Sequence, residues 1–380
     1  MTPKIARFLE QRTDDLPCLV VDLDEVGANY RRLAAALPTA HIYYAVKANP
    51  ATDILRLLVD LGSRFDAASR YEVDQCLEAG AAPEVISFGN TVKKKADIAH
   101  AYGRGVRLFA FDSQAELDKL AEAAPGSRVF CRIQVPSEGA EWPMARKFGC
   151  SVEMARDLMI DAARKGLEPW GISFHLGSQQ TDPSRWDAAI SRTAMLFSDL
   201  RDAGIELGMI NLGGGFPARY RDPVPEIEAY AVAITQAMTR AFGNALPEMV
   251  LEPGRAIVAD AGVLDSAVVL VSRKSYEDNT RWVYLDVGKF GGLAETDCER
   301  IKYRVSSPRH DGVAPLETGP VVLAGPTCDG TDIMYEQVDY RLPLDLDAGD
   351  RLRFMSAGAY TTTYSSVGFN GFPPLQTYCV

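Results

Sequence analysis

The sequence predicts an α/β protein in which a parallel (β/α)₈ barrel is followed by an all-β domain. Three observations carry this. Short apolar runs alternate with amphipathic segments over most of the chain, the alternation stops near Asp260, and a polar residue or a glycine follows each apolar run. The runs are Ile42–Val46, Arg64–Ala67, Val85–Phe88, Leu108–Phe111, Val129–Gln134, Gly171–Leu176, Met209–Leu212 and Met249–Leu251. Strands covered on both faces, as parallel strands are, read as continuous apolar stretches of this kind. Between them lie helical patterns at Asp53–Leu61, Tyr71–Ala79, Ser113–Ala124, Val152–Lys165, Arg185–Ala203 and Glu226–Ala241. Eight consecutive βα units argue for a closed barrel. A doubly wound open sheet is the competing architecture, because strand count alone does not prove closure.

Beyond Asp260 the helical periodicity is mostly lost. Ala267–Val271, Trp282–Asp286, Val321–Ala324 and Arg351–Met355 are short, apolar and separated by turn residues, which reads as a β domain. The early run Cys18–Leu23 is also strand-like and is assigned there. The expected division is a barrel over 23–261 and a β domain made of 1–22 and 262–380.

Composition narrows the function classes. The chain has 380 residues, 47% hydrophobic and 24% charged, which is ordinary for a globular protein. Its net charge of -11 argues against non-specific nucleic-acid binding and would draw a cationic ligand. The seven cysteines are scattered with no C-x-x-C pair, so neither a zinc ribbon nor a redox motif is indicated. Met1–Pro17 lacks the apolar core of a signal peptide, and no apolar run reaches membrane-spanning length. The expectation is a cytoplasmic protein with no nucleic-acid or membrane partner.

The residues at the C-terminal ends of the eight runs are, in order, Lys47, Asp66 with Ser69, Asn90, Asp112, Arg132, His175 with Ser178, Gly213-Gly214-Gly215, and Glu252 with Arg255. In a (β/α)₈ barrel such positions converge on one mouth, where chemistry is done. Each also has a bland reading. Asp112-Ser113 and Ser151 look like helix caps. Lys47 either snorkels to the surface or forms a Schiff base. The triple glycine is either a tight turn or a phosphate cradle, and it matches neither a P-loop nor G-x-G-x-x-G. Glu252 and Arg255 either pair with each other or serve a cationic ring nitrogen and a phosphate respectively. His175 has no second His or Cys nearby, so no metal site is expected. In the β region, Cys328 and Asp329 sit in a turn-rich loop, and Tyr360 and Phe369 lie in glycine-rich loops.

Taken in their order and spacing, these motifs resemble the fold-type III PLP-dependent decarboxylases of the ornithine/lysine branch. The motifs are Tyr-Ala-Val-Lys47-Ala-Asn, Phe-Asp66-Ala-Ala-Ser, Phe-His175-Leu-Gly-Ser178, Gly213-Gly-Gly-Phe-Pro, Glu252-Pro-Gly-Arg255, Gly-Pro-Thr-Cys328-Asp329-Gly-Thr-Asp, Gly-Ala-Tyr360-Thr and Phe369-Asn-Gly-Phe. The likeness spans Cys18 to Phe372. It implies an alanine-racemase-like barrel plus a β domain, and a homodimer with active sites shared across its interface. It implies pyridoxal 5'-phosphate on Lys47, His175 stacked on the pyridine, and Glu252 at the ring nitrogen. Gly213, Gly214, Gly215, Ser178, Arg255 and Tyr360 would hold the phosphate, with Asp66 and Arg132 near the lysine and the ring edge. Cys328 would come from the partner subunit as proton donor, with Asp329 binding the substrate's distal ammonium and Phe369 lining the pocket.

One stretch departs from the eukaryotic ornithine-decarboxylase pattern. Gly291–Glu299 lacks the Tyr-Asp pair of that branch and offers Glu295, Asp297 and Glu299 as candidates for a second amine contact. The implied reaction is decarboxylation of L-ornithine or L-lysine to putrescine or cadaverine, in polyamine biosynthesis. Diaminopimelate decarboxylase is the alternative within the fold, although that branch carries Cys-Glu-Ser where this chain has Cys328-Asp329-Gly330. Alanine racemase lacks the Cys-Asp motif. A catalytically inactive regulator of the antizyme-inhibitor type is the alternative from another class.

Overall fold

A computed structural model describes residues 1–142, 147–312 and 317–380. The chain divides into two compact units. One comprises Gly27–Pro217 and Val224–Gly254, and the other Met1–Val26, Ala218–Pro223 and Arg255–Val380.

The first unit is a closed eight-stranded barrel. Its strands are Ala40–Ala45, Arg64–Ala67, Ile86–Phe88, Leu108–Phe111, Arg128–Arg132, Glu168–Ser173, Met209–Asn211 and Glu248–Leu251. Each pairs in parallel with the next, and the eighth closes on the first through Val250 opposite His41. The expected closure is therefore observed and the open sheet is not. The inner ends of the strands are buried, and Tyr43, Ala110, Phe130, Met209 and Val250 form one interior cluster. This fills the barrel as a packed core and leaves the C-terminal ends to carry function.

The connecting helices start where the side chains dictate. Ser69, Ser113 and Ser151 each accept a bond from the backbone N–H three residues on, which satisfies an orphan donor of the first turn. Ser113 and Ser151 are thus caps, as the sequence suggests. Lys95–Gly103 is a further helix, between the third and fourth strands, that has no side-chain cap to announce it. Among the described residues no helix is long and apolar enough to cross a membrane.

The second unit is built on a nine-stranded sheet among the described residues. Its long strand Gly262–Ser272 pairs antiparallel with Cys18–Val21, Arg281–Leu285 and Arg351–Met355. Cys18–Val21 also pairs in parallel with Gln376–Cys379, so both chain ends enter one sheet. Arg281–Leu285 and Arg351–Met355 alternate buried and partly exposed residues, the pattern of strands with one covered face. Helix Pro3–Gln11, capped by Thr2, packs Ile5 against Cys18, Val20 and Val263.

Candidate active site

The first barrel strand runs straight into a single 3₁₀ turn, Val46–Ala48. Val46 and Ala48 are buried, so the turn is anchored on both sides of Lys47, whose side chain remains 44% exposed. The Lys47 Nζ lies 3.5 Å from Asp66 Oδ2 at the end of the second strand. Asp66 is almost fully buried, and its Oδ1 has no hydrogen-bond partner. A buried carboxylate oxygen left unsatisfied is uncommon, and its position marks a place for a polar group.

Glu252 follows the eighth strand. Its N–H donates to Gly213 O at 2.8 Å, and its Oε1 accepts from Asn211 Nδ2 at 2.5 Å. Burial pushes its pKa up to about 7, the charge of Asp66 adds to this, and Lys47 and Arg132 pull the other way. His175 follows the sixth strand, where its Nδ1 accepts from Gly177 N–H at 3.0 Å. Burial holds this imidazole well below its ordinary range, and the charges of Arg132 and Lys47 lower it further. His175 is accordingly neutral at pH 7, with its proton on Nε2. Arg132 ends the fifth strand. Burial lowers its pKa, opposed by Glu252, Asp112 and Asp66, and its guanidinium stands 5.1 Å from the Phe148 ring centre.

The glycine turn requires glycine. Gly213 and Gly215 have φ of 67° and 93°. A Cβ at Gly213, Gly214 or Gly215 would come within 2.4, 2.4 and 2.3 Å of the backbone oxygens of Phe174, Glu252 and Gly177 respectively. The turn therefore presents bare backbone beside His175 and Glu252, as a phosphate cradle needs. Ser178 opens the short strand Ser178–Gln180, which pairs with Ala140–Trp142.

The other strand ends do structural work. Asn90 donates to Ala68 O and accepts from Val92 N–H. Asp112 Oδ2 accepts from Gly149 N–H at 2.6 Å, tying down the segment after the fifth strand.

The second unit holds the remaining candidates. Arg255 is buried and grips Glu295 with both terminal nitrogens, at 2.6 and 2.8 Å. The Tyr360 ring centre lies 4.9 Å from the Arg255 Cζ, so two of the predicted phosphate ligands meet. Cys328 is exposed, and its N–H donates to Asn370 Oδ1 at 2.7 Å. Asp329 accepts from Thr331 N–H and Oγ1, which holds its carboxyl below the ordinary range. Phe369 packs on Phe290 with ring centres 4.9 Å apart. Together with Phe372, Leu375 and Thr327 these rings line an apolar groove of about 230 Å³. Asp297 lies 3.4 Å from Lys289 Nζ, and Glu299 Oε1 accepts from Gln337 N–H at 2.6 Å. Cys298 and Glu299 have φ of 51° and 54°, strained values for residues other than glycine, of the kind found at functional sites.

Three residues that sequence reasoning did not single out support the site. Asn211 bridges Glu252 and the glycine turn, since its Oδ1 accepts from Gly213 N–H at 2.9 Å. An amide at the end of a buried strand, just before the glycines, was the available signal. Asn370 holds Cys328 through its backbone. Asp332 is buried and accepts from Lys289 N–H at 2.8 Å and Thr327 Oγ1 at 2.7 Å, which fixes the Cys328 loop.

Residues 23–259 match the family model described as pyridoxal-dependent decarboxylase, pyridoxal binding domain. A lysine/ornithine decarboxylase from Selenomonas ruminantium is 34% identical over 94% of this chain and 87% of its own length. The chain belongs to the fold-type III, PLP-dependent decarboxylases of the ornithine/lysine family. Antizyme inhibitor 2 of Xenopus laevis is 32% identical over 97% of this chain and 82% of its own. The solved structure of lysine/ornithine decarboxylase from Vibrio vulnificus, complexed with cadaverine, superposes with a TM-score of 0.87 at 29% identity, covering 99% of this chain and 97% of that one. The residues present fit the family's cofactor. A lysine beside an unsatisfied buried carboxylate oxygen, a neutral imidazole, an acid of raised pKa and a side-chain-free turn are the groups that an aldehyde-bearing pyridine phosphate requires.

Proposed function

We propose that this decarboxylase acts on L-ornithine or L-lysine, releasing CO₂ and putrescine or cadaverine, and serves polyamine biosynthesis in the cytoplasm. The observation that carries the reading is the pairing of Lys47 with buried Asp66 at 3.5 Å, at the ends of adjacent strands. Pyridoxal 5'-phosphate held there supplies an electron sink for the pair left behind when the carboxylate departs. The chain's own residues would hold and orient it. Lys47 would provide the amine through which the cofactor is held. Glu252, kept from easy ionisation by burial, is suited to share a proton with the ring nitrogen and to gain charge once that nitrogen is cationic. His175, neutral and half-buried, would give a flat face for the ring without adding a competing positive charge. On this reading Gly213, Gly214, Gly215, Ser178, Arg255 and Tyr360 would serve the phosphate, and Asp66 and Arg132 would serve the lysine and the ring edge.

Cys328 would return a proton to carbon, and the short carboxylate of Asp329 would receive the distal ammonium, with Phe369 lining the pocket. Asp297 and Glu299 are the partly exposed acids of the neighbouring segment suited to a second amine contact. A proton donor works best shielded from water, yet Cys328 is exposed. We therefore assign Cys328 and Asp329 to a site completed by a second copy of this chain, in a homodimer. The antizyme-inhibitor relative makes an inactive role the competing reading. Retention of Lys47, His175, Glu252, Arg255, Cys328 and Tyr360 favours an enzyme. The deciding experiment is CO₂ release from ornithine, lysine, arginine and diaminopimelate by PLP-loaded protein. Turnover is expected with ornithine or lysine. Release from diaminopimelate alone, or from none of the four, would overturn the proposal.

A further inference from the structure

Glu295 is one of three acids that the sequence offers to the substrate, but its surroundings differ from those of the other two. Its side chain and that of Arg255 are 4% and 3% exposed. Both of its oxygens are engaged by Arg255, at 2.6 and 2.8 Å, the fork-to-fork arrangement that fixes the guanidinium plane. The Tyr220 hydroxyl meets the same guanidinium, and Tyr220 is itself buried with its ring edge-on to Tyr303. The backbone of Glu295 is also held, since its carbonyl accepts from Ile301 N–H at 3.1 Å, and its neighbour Thr296 bonds Leu293 O at 2.6 Å. Recruiting Glu295 to a substrate amine would leave a buried guanidinium uncompensated.

We infer that Glu295 is a positioning residue for the cofactor phosphate, holding Arg255 in a fixed orientation for it, and is not the acid that receives the substrate's distal amine. This rests on the PLP reading above. A guanidinium restrained on its edge by Glu295 and Tyr220, and on its face by Tyr360, loses little freedom when an anion binds, so the carboxylate raises phosphate affinity by preorganisation. Specificity for the substrate then falls to Asp297 and Glu299.

The test is titration of cofactor-free wild type, Glu295→Gln and Glu295→Asp with PLP, followed by the absorbance of the bound cofactor. Pyridoxal, which lacks the phosphate, is titrated in parallel, and apo melting temperatures are recorded. Glu295→Gln should raise the Kd for PLP about tenfold, with a smaller rise for Glu295→Asp, because a displaced donor costs binding on that scale. Pyridoxal should bind wild type and variant alike, and substrate KM at saturating PLP should move by less than about twofold. An unchanged or lower Kd for PLP with a raised KM would return Glu295 to the substrate site. A lower apo melting temperature with equal PLP affinity would make the pair merely structural, and either result overturns the inference. Should Glu295→Gln fail to fold, Tyr220→Phe removes the other arm on Arg255 and should raise the Kd for PLP in the same direction; an unchanged Kd there overturns the inference too. Wild type that takes up no PLP would sink the underlying reading instead, and the two failures are distinguishable.

Discussion

The barrel mouth and the Cys328 loop illustrate two ways of carrying chemistry. At the mouth, Lys47, Asp66, Arg132, His175 and Glu252 sit at the ends of strands, and burial, together with the charges of neighbouring residues, moves the protonation of His175 and Glu252. Their setting is complete within one unit. Cys328 and Asp329 sit instead on a turn held by Asn370, Thr331 and Asp332, with Cys328 exposed and Asp329 half-buried. The first set acquires reactivity from its own fold. The second is fixed in shape by its loop and, on the reading proposed above, would act once a second copy of the chain covers it. Strand ends are therefore suited to hold a cofactor, and a rigid exposed turn is suited to be delivered to another chain's site.

The largest effect expected from this contrast is at Lys47. Lys47→Ala should abolish the covalent adduct and lower turnover at least about a thousandfold, because Lys47 is the amine that this reading assigns to the cofactor. Borohydride reduction followed by mass spectrometry checks it, and a reducible PLP adduct retained in the variant would defeat the assignment. Next comes Glu252→Gln. It keeps a hydrogen bond but not a charge, so the chemical step should slow by roughly two orders of magnitude, about 2.7 kcal/mol of barrier, with PLP still bound. Single-turnover kinetics at saturating PLP decide this; full recovery there would make Glu252 a structural partner only.

Much of this was legible beforehand, for reasons that particular residues make plain. Parallel strands covered on both faces must be apolar, and a polar residue at the end of such a run stands out, which is why Lys47, His175 and Glu252 are the candidates that the sequence offers. The sixth strand shows the limit. It was expected over Gly171–Leu176 and lies at Glu168–Ser173, because Phe174 and Leu176 stay buried after the ladder ends. Helix Lys95–Gly103 escaped notice because its stripe is weak and Lys94 offers no cap bond. The Arg255–Glu295 pair joins residues forty apart, so only tertiary structure brings them together. Asn90 and Asp112 look like site residues in sequence, and their hydrogen bonds identify them as supports.

Subunit mixing sharpens the comparison. If the exposed turn acts in trans, Lys47→Ala and Cys328→Ala homodimers are each defective, while a heterodimer has one site with both residues intact. Random exchange makes half the dimers mixed, so activity should recover to about one quarter of wild type. Recovery is read as CO₂ release after proven subunit exchange, and no gain would place Cys328 in the site of its own chain.

The smallest effect tests whether burial outweighs the neighbouring charges at the mouth. In cofactor-free protein the Glu252 carboxyl titrates at about 7 when folded, against an ordinary value of 4.5 when unfolded. Between those values the folded chain keeps a proton that the unfolded chain has released. The native state therefore binds more protons, and stability falls as pH rises through this window. Below it both states are protonated, and above it both are ionised, so the loss is confined to that range. His175 contributes the opposite slope. Its folded value is depressed, so the unfolded chain gains a proton first as pH falls below the ordinary imidazole range. That slope is common to wild type and Glu252→Gln and cancels in their difference. The melting temperature of apo wild type minus that of apo Glu252→Gln should thus fall by a few degrees between about pH 5 and about pH 8. Adding PLP should flatten the difference, because a protonated ring nitrogen beside Glu252 favours its charged form and lowers its pKa. A difference that is flat without PLP would mean that Glu252 is ionised throughout, held so by Lys47 and Arg132, and that those charges outweigh burial at the mouth.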